Sequence, residues 1–590
     1  MPLSTLSPLV QNAAGTPWKC ACGFALCPDN VSGMEFHVTI DFNDDIWFGQ
    51  GRWDEGLLRK LIRTYAAAGI SAIHWIDNGP ASDGMYDAGT WMDDLASTSD
   101  FFQRVPNPLA IVADEAHKLG LKAYSVLKVF DFGFGVPWSS RTPQEAAASG
   151  LLHVGGVGNE LHWLTQHGQF RSRLHPALRE TGPRRPIGTI RLWHEGAELA
   201  PTEFRLLVSH DNRNYRPVTG ELCVTRSVRR RKPPIFVPAP QQNCGPEGDF
   251  ACIEFTGLKI DEPFIGIEPL GPTQLANTLA AMVEVEDIDG QTAVFTPGLI
   301  ALQRHGRTND WRTHGIAFDA AFGTDVNGRG WRPERSGGNV RVPLAKYGFL
   351  GVGRGRNDHL AGMLEPIYPE VRNWWTQLAL RAIRDGCDGA DIRLTTHTES
   401  LDWENYGFNE PLIAEFGRRY DVDIARQNFD RAAWRRLRGE YFTAFLEQAS
   451  RAVRSAGGQF LAHLYDHCDA PLEEDALHEM HFDWRVWLDR GWLDGATFNS
   501  FAFNRPFYAD ALGRCRQGGV GTIMTAPLHS ADDETWRTYG NELIDHAFSD
   551  GLAAFNIYES ANVARLEGQD IRLLRPALWD RIARERHAGQ

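Results

Sequence analysis

The chain has 590 residues, 43% hydrophobic and 23% charged, a composition that supports a real core and two to four domains at about 150 residues each. Its 75 acidic and 60 basic residues leave a net charge of −15, which argues against a sequence-blind nucleic-acid binder, because that needs a basic surface to neutralise phosphates. No run of about 18 apolar residues occurs, so no membrane span is expected.

At the start, Met1 to Gln11 lacks the basic stretch and apolar run of a signal peptide. Cys20, Cys22 and Cys27 cluster next, but no second cluster with paired spacing follows. Free thiols are expected there in preference to a structural zinc. Nine cysteines are an odd and low number for this length and point to a reduced, cytoplasmic protein rather than a disulfide scaffold.

The first strand is read in "MEFHVTIDF", Glu35 to Phe42. A unit of amphipathic helix, glycine and short apolar strand then recurs. It appears at "AAAGISAIHWID" (Gly69), "HKLGLKAYSVLKVF" (Gly120) and "IRDGCDGADIRLT" (Gly386). It continues at "SAGGQFLAHLYD" (Gly457, Gly458), "DRGWLDGATFNSF" (Gly491), "RQGGVGTIMTAP" (Gly518, Gly519) and "SDGLAAFNIYES" (Gly551). Each glycine suits the left-handed turn that ends a helix and returns the chain to the sheet. Seven returns plus the first strand make eight parallel strands, which predicts a closed (β/α)₈ barrel of the α/β class. No dinucleotide fingerprint follows the first strand, which disfavours an open doubly wound sheet.

One unit is interrupted. The third strand ends near Asp131 and its helix begins near Pro369, leaving roughly 200 residues, far beyond an ordinary βα loop. The stretches "IGTIRLWHEG", "EFRLLVSHDNRNYRPVTG", "DFACIEFTGLKI" and "AAMVEVEDIDGQTAVFTP" are short alternating runs broken by turn residues. They predict an inserted β-sandwich after the third strand. The basic run Arg226 to Lys232 inside it is expected to be a solvated loop. The organisation read is barrel over 30–138, insertion over 160–345 and barrel again over 360–590. An insertion at that point leaves the C-terminal end of a strand and should overhang the barrel mouth.

Strand side chains alternate between faces. On the fourth strand Asp391, Arg393, Thr395, His397 and Glu399 share the inward face, while Ile392 and Leu394 face the helices. Asp391 and Arg393 are expected to pair with each other or with neighbouring strands, because buried charges need partners. The first strand carries His37, Thr39 and Asp41 on one face; the second carries His74 and Trp75, and the third Lys128 and Asp131. Tyr465, Asp466 and His467 end the fifth, Asn499 the sixth, His529 follows the seventh, and Tyr558 and Glu559 end the eighth. Polar residues thus gather at one predicted face. Asn409 in "NEP" reads as a helix N-cap followed by Glu410 and Pro411 in the first turn.

The segment "LEPIYPEVRNWWTQLALRAIRDGCDGADIRL" resembles glycoside hydrolase-like barrels, in which such a helix leads into the fourth strand. "YGFNEPLIAEFGRRYDVDI" and "WRRLRGEYFTAFLEQASRAVR" are similar to the same families' next helical region. "LLVSHDNRNYRPVTG" resembles part of a galactose-binding-type sandwich. One departure is Arg393, where many relatives carry a catalytic Asp. The resemblance implies a glycosidase-type barrel acting on carbohydrate without a cofactor.

Glycoside hydrolysis needs two carboxyl groups across the scissile bond. Glu399 is expected to be the general acid and Glu559 the nucleophile or base, with Asp466 in reserve. Asp41, His74, Trp75, Asp391, Arg393, His397, Tyr465, His467, Asn499 and Tyr558 are the expected substrate contacts. Aromatics make up 11% of the chain, including 19 tryptophans, and Trp75, Trp138 and Trp403 are expected to include at least one stacking platform for sugar rings. Two alternatives stay open. One is a metal-dependent barrel hydrolase or lyase using His463, Asp466 and His467 with His74 or His37. The other is an inactive sugar-binding barrel. The sequence leaves self-association into a homo-oligomer open.

Overall fold

The computed structural model describes residues 33–41, 53–76, 104–130, 133–134, 159–160, 167–179, 185–195, 204–209, 216–220, 222–231, 247–262, 264–269, 283–291, 295–296, 318–319, 332–334, 338–340, 350–354, 359–394, 405–464, 479–527 and 533–588. Eight parallel strands close on themselves: β1 (Glu35–Asp41), β2 (Ala72–Ile76), β3 (Lys122–Lys128), β4 (Gly389–Arg393), β5 (Gln459–Leu464), β6 (Gly495–Asn499), β7 (Gly521–Pro527) and β8 (Ala554–Tyr558). The seam is the β8–β1 pair, with His37 opposite Asn556 and Thr39 opposite Tyr558. Each of the seven returns holds one glycine of positive φ, from 58° at Gly551 to 99° at Gly69; in the two Gly-Gly pairs it is Gly457 and Gly519, not Gly458 or Gly518. The helix-to-strand turns therefore sit where the sequence places them.

The helices form for local reasons and bury one face. Asp54 and Asn107 accept backbone N–H groups of Leu57 and Ala110, capping helices Glu55–Ala67 and Pro108–Lys118. The first of these helices buries Leu57, Leu58, Leu61, Ile62 and Tyr65 at helical spacing. Inside the barrel the floor is apolar: Ala72, Tyr124, Leu461, Ile523 and Ala554 pack together. Gly495 makes room there, since a Cβ on it would come within 2.8 Å of Leu461.

Between β3 and β4 lie antiparallel strands in two larger sheets. One pairs Ile187–Glu195, Cys223–Arg231, Gly248–Thr256 and Val283–Asp287. The other centres on Phe204–Ser209, Phe264–Pro269 and Leu350–Arg354. Phe204 of the second meets Phe255 of the first edge to face, 6.1 Å between ring centres. The basic run departs from expectation: Arg226 to Arg231 continue a strand rather than a loop. Four arginines interrupt that strand, and its two valines, Val224 and Val228, are exposed, so its apolar signal is weak. Backbone pairing with Gly248–Thr256 defines it instead, aided by Arg229 to Glu254 at 3.0 Å.

A short inserted strand, Arg171–Arg173, pairs with His359–Leu364 and is fastened to the barrel's helical shell by buried charges. The fully buried Glu365 accepts from Ser172 at 2.6 Å and from the fully buried Arg438 of helix Arg431–Ser455. Arg438 also donates to the Glu479 carbonyl at 3.0 Å, and Arg435 pairs with the Glu479 carboxylate. Gly407 has φ 101°, and a Cβ there would lie 2.2 Å from the Arg438 guanidinium carbon, so only glycine fits. Asn409 stands at the expected N-cap, but its side chain makes no capping bond. It accepts from the Arg173 N–H at 2.9 Å and donates to the Arg171 carbonyl at 2.7 Å, pinning the inserted strand instead.

Burial pushes the Glu365 carboxyl pKa up, against the pull of Arg438. Replacing Arg438 by Met should strand that group without its cation and cost about 3–5 kcal/mol in urea unfolding. Adding Glu365→Gln should recover part of the loss. An unchanged unfolding midpoint in Arg438→Met would count against this fastening.

Candidate active site at the barrel mouth

Alternation along the strands sets which groups converge. On β4, Ile392 and Leu394 join the hydrophobic core, and Asp391 and Arg393 point into the barrel. Above the floor the interior is polar in two tiers. In the upper tier the buried Lys128, ending β3, donates to the buried Asp41, ending β1, at 2.9 Å. Arg393, beside Lys128 in register, lies 4.4 Å over the Tyr558 ring and donates to its hydroxyl. Burial raises the Tyr558 pKa well above the ordinary tyrosine value, against the opposing pull of Arg393. Glu559 follows directly and is buried.

The lower tier is a chain of imidazoles and carboxylates. Glu35 Oε2 is 3.1 Å from His37 Nε2, and His37 Nδ1 is 3.1 Å from His74 Nε2. His74 Nδ1 is 3.4 Å from Asp391 Oδ2, long for a hydrogen bond, and the same oxygen is 3.1 Å from His463 Nε2. Burial alone would raise the Asp391 pKa, but His463 and His74 beside it hold the carboxyl well below its usual range. Burial lowers the His463 pKa despite Asp391 beside it. A buried carboxylate accepting from a neutral imidazole is the consistent state near neutral pH. Asp391 Oδ1, Asn556 Oδ1 and Thr497 Oγ1 are buried without a hydrogen-bond partner among the described residues. Among those residues no group of His, Cys, Asp and Glu is arranged to hold a metal ion.

Of the residues expected from sequence, Asp41, His74, Asp391, Arg393, Tyr558 and Glu559 line this interior or its rim, and Asn499 ends β6. Asp391 and Arg393 do not pair with each other. Asp391 bonds to β5 and contacts β2, and Arg393 reaches β8. Trp75 is a correction. It occupies the opposite face of β2 from His74 and is 1% exposed in the hydrophobic core, so it offers no ring face to a sugar. Glu399, His397, Tyr465, Asp466, His467, Trp138, Trp403 and the three N-terminal cysteines lie outside the described residues. His37, Lys128 and His463 were not expected as substrate contacts. Alternation puts them inward, but only the folded barrel shows whom they meet.

No family model matches the chain, and no curated protein sequence matches it. Among solved structures it aligns with the rhamnosidase from Novosphingobium sp. PP1Y, at 9% identity and a TM-score of 0.31. The alignment covers 90% of this chain and 55% of that one, so the chain spans about half the length of that structure. No helix among the described residues is long and apolar enough to cross a membrane.

Burial, the largest influence, lowers the His37 pKa from 6.5 to about 4. The unfolded chain therefore binds a proton there that the folded chain refuses in that window. Stability should be fully present above about pH 6.5 and fall as pH drops toward 4. Thermal unfolding across the window measures this, and His37→Gln should flatten the slope. An equal slope in that variant would show that other groups carry the pH dependence.

Proposed function

We propose that the chain hydrolyses or transfers a glycosidic bond at the C-terminal mouth of the barrel, with carbohydrate as its substrate. The observation that carries the reading is the contact of Arg393 with Tyr558. In the closed order β4 and β8 are four strands apart, on opposite walls. Their side chains nevertheless meet at the upper rim. β4 and β8 therefore form facing walls of one cleft, and a sugar held between two carboxyls needs such facing walls. Glu559 follows β8 directly and is buried beside Tyr558. Glu399 comes six residues after Arg393 in the sequence. In this reading Glu399 is the general acid, Glu559 the nucleophile or base and Asp466 the reserve carboxyl. Asp41, held by Lys128, and Arg393 on Tyr558 present fixed polar groups to sugar hydroxyls.

The two inserted sheets are read here as a sandwich between barrel segments 30–138 and 360–590; Leu350–Arg354 belongs to the second sheet, so the inserted region runs past the expected bound of residue 345. The edge-to-face contact of Phe204 with Phe255 supports stacking of the sheets. Leu174 bridges to Tyr406, in the segment that leaves the C-terminal end of β4. That supports an insertion rooted on the mouth side.

The test is a panel of aryl glycosides and oligosaccharides, followed by Glu399→Gln and Glu559→Gln on any active substrate with a good leaving group. Each variant should lose about a hundredfold or more in kcat. If both fold and retain more than about a tenth of the activity, a change of ~1.4 kcal/mol, neither carboxyl has the proposed role.

A further inference from the structure

The lower tier of the barrel has an unusual hydrogen ledger. Glu35, His37, His74 and Asp391 stand in series, with three gaps between them of 3.1, 3.1 and 3.4 Å. Each gap needs one proton to become a hydrogen bond. Two neutral imidazoles carry two N–H groups, and two ionised carboxylates carry none. One gap must therefore face lone pair to lone pair. The His74–Asp391 gap is the longest, and His74 Nδ1 makes no hydrogen bond. At the other end the Glu35 pKa is lowered, chiefly by its hydrogen bond with His37. The longest gap points to one polarity: His37 Nε2–H donates to Glu35, His74 Nε2–H donates to His37, and the vacancy lies at Asp391. The ring nitrogens address one another in series rather than a common point, so this is a chain and not a ligand cage.

Its ends lie in different media. Asp391 is fully buried, two residues below Arg393 on β4. The Glu35 side chain is 43% exposed and begins β1, at the end of the barrel opposite the mouth. The surroundings supply few competing charges. Lys122 on β3 stands 3.7 Å from Glu35. Tyr124 on β3 packs its ring 4.9 Å from that of His74 and donates its hydroxyl to Gln459. From β8, Asn556 donates to Thr39 and Thr525. His463 and the Arg393 charge act on the far side of Asp391.

We propose that Glu35, His37, His74 and Asp391 form a proton wire that rests one proton short and carries a proton from Asp391 to solvent at the barrel floor. A proton arriving on Asp391 passes from Oδ2 to His74 Nδ1. His74 releases its Nε2 proton to His37 Nδ1, and His37 releases its Nε2 proton to Glu35, which gives it to water. One proton leaves Asp391, one reaches solvent, and both rings end with their proton on Nδ1. A proton returning from Glu35 through His37 and His74 to Asp391 resets the chain. The wire does not depend on what the mouth binds. It would let the Asp391–His463 pair shed a proton through the floor while the mouth is covered.

The experiment is ¹⁵N NMR of the histidine-labelled full chain, with the two rings assigned by the signals lost in His37→Gln and His74→Gln. Near neutral pH both rings should be neutral with the proton on Nε2. On acidification the two rings should shift along one shared curve that takes up a single proton. Glu35→Leu, at the exposed end of β1, removes the outer acceptor. Two protons then suffice for the two remaining gaps, so both rings should change to the Nδ1–H form and the shared uptake should vanish from the same pH range. Different tautomers on the two rings, separate titrations, or unchanged tautomers in Glu35→Leu would each overturn the wire. The wild-type tautomers and titration provide a test even if a variant folds poorly.

Discussion

A closed eight-stranded barrel gives inward side chains no exit except its two ends. Any charged group placed inside must find its partner inside, because an unpaired buried charge costs several kcal/mol or more. That constraint organises this molecule. At the lower end Tyr124, Leu461 and Ile523 pack in an apolar cluster, with the polar Glu35 and His37 of β1 beside it. Above it buried charged side chains find partners on other strands: Asp391 with His463, Lys128 with Asp41, and Arg393 with Tyr558. Because those partners sit on different strands, the polar interior ties β1, β3, β4, β5 and β8 together as one unit. The same contacts hold Asp41 and Arg393 in fixed positions below the mouth, so the electrostatics that the fold must satisfy also pre-position the candidate site.

Outside the barrel the same rule governs the join with the inserted region. Glu365 and Arg438 are both fully buried, and neither is compensated by solvent. Their pairing, with Ser172 on one side and the Glu479 carbonyl on the other, fixes where the inserted strand meets the helical shell. Gly407 and Asn409 complete the join, one by leaving room and the other by giving up its capping role to bond the neighbouring strand. Removing one partner of such a pair is costly because the other stays buried, so the join tolerates little variation in its geometry.

Much of the barrel was legible in the linear chain because its signals are local. A glycine after an amphipathic helix reports its own backbone requirement, and each of the seven returns has one with positive φ. Alternation on β4 separates Asp391 and Arg393 from Ile392 and Leu394 without any tertiary knowledge. Where a signal was not local, reading failed or stopped. Trp75 is adjacent to His74 in sequence but on the other face of β2, and adjacency misled where alternation would have sorted the two. The Arg226 run is a strand because a neighbouring strand pairs with its backbone, which its mostly charged side chains do not disclose. Asn409 has the residue type and place of a cap, yet its side chain meets Arg173, more than 230 residues away.

By itself the sequence determined the eightfold repeat, the point of interruption after β3 and the parity of each strand, since these depend on backbone conformation and on spacing of one or two residues. It also determined that polar residues would gather at strand ends. Tertiary structure alone decided who meets whom. The Glu35–His37–His74–Asp391–His463 chain spans β1, β2, β4 and β5, and the Arg393–Tyr558 contact crosses the barrel. Those meetings depend on barrel stagger and on side-chain reach across the interior, and neither quantity is written in any single stretch of chain.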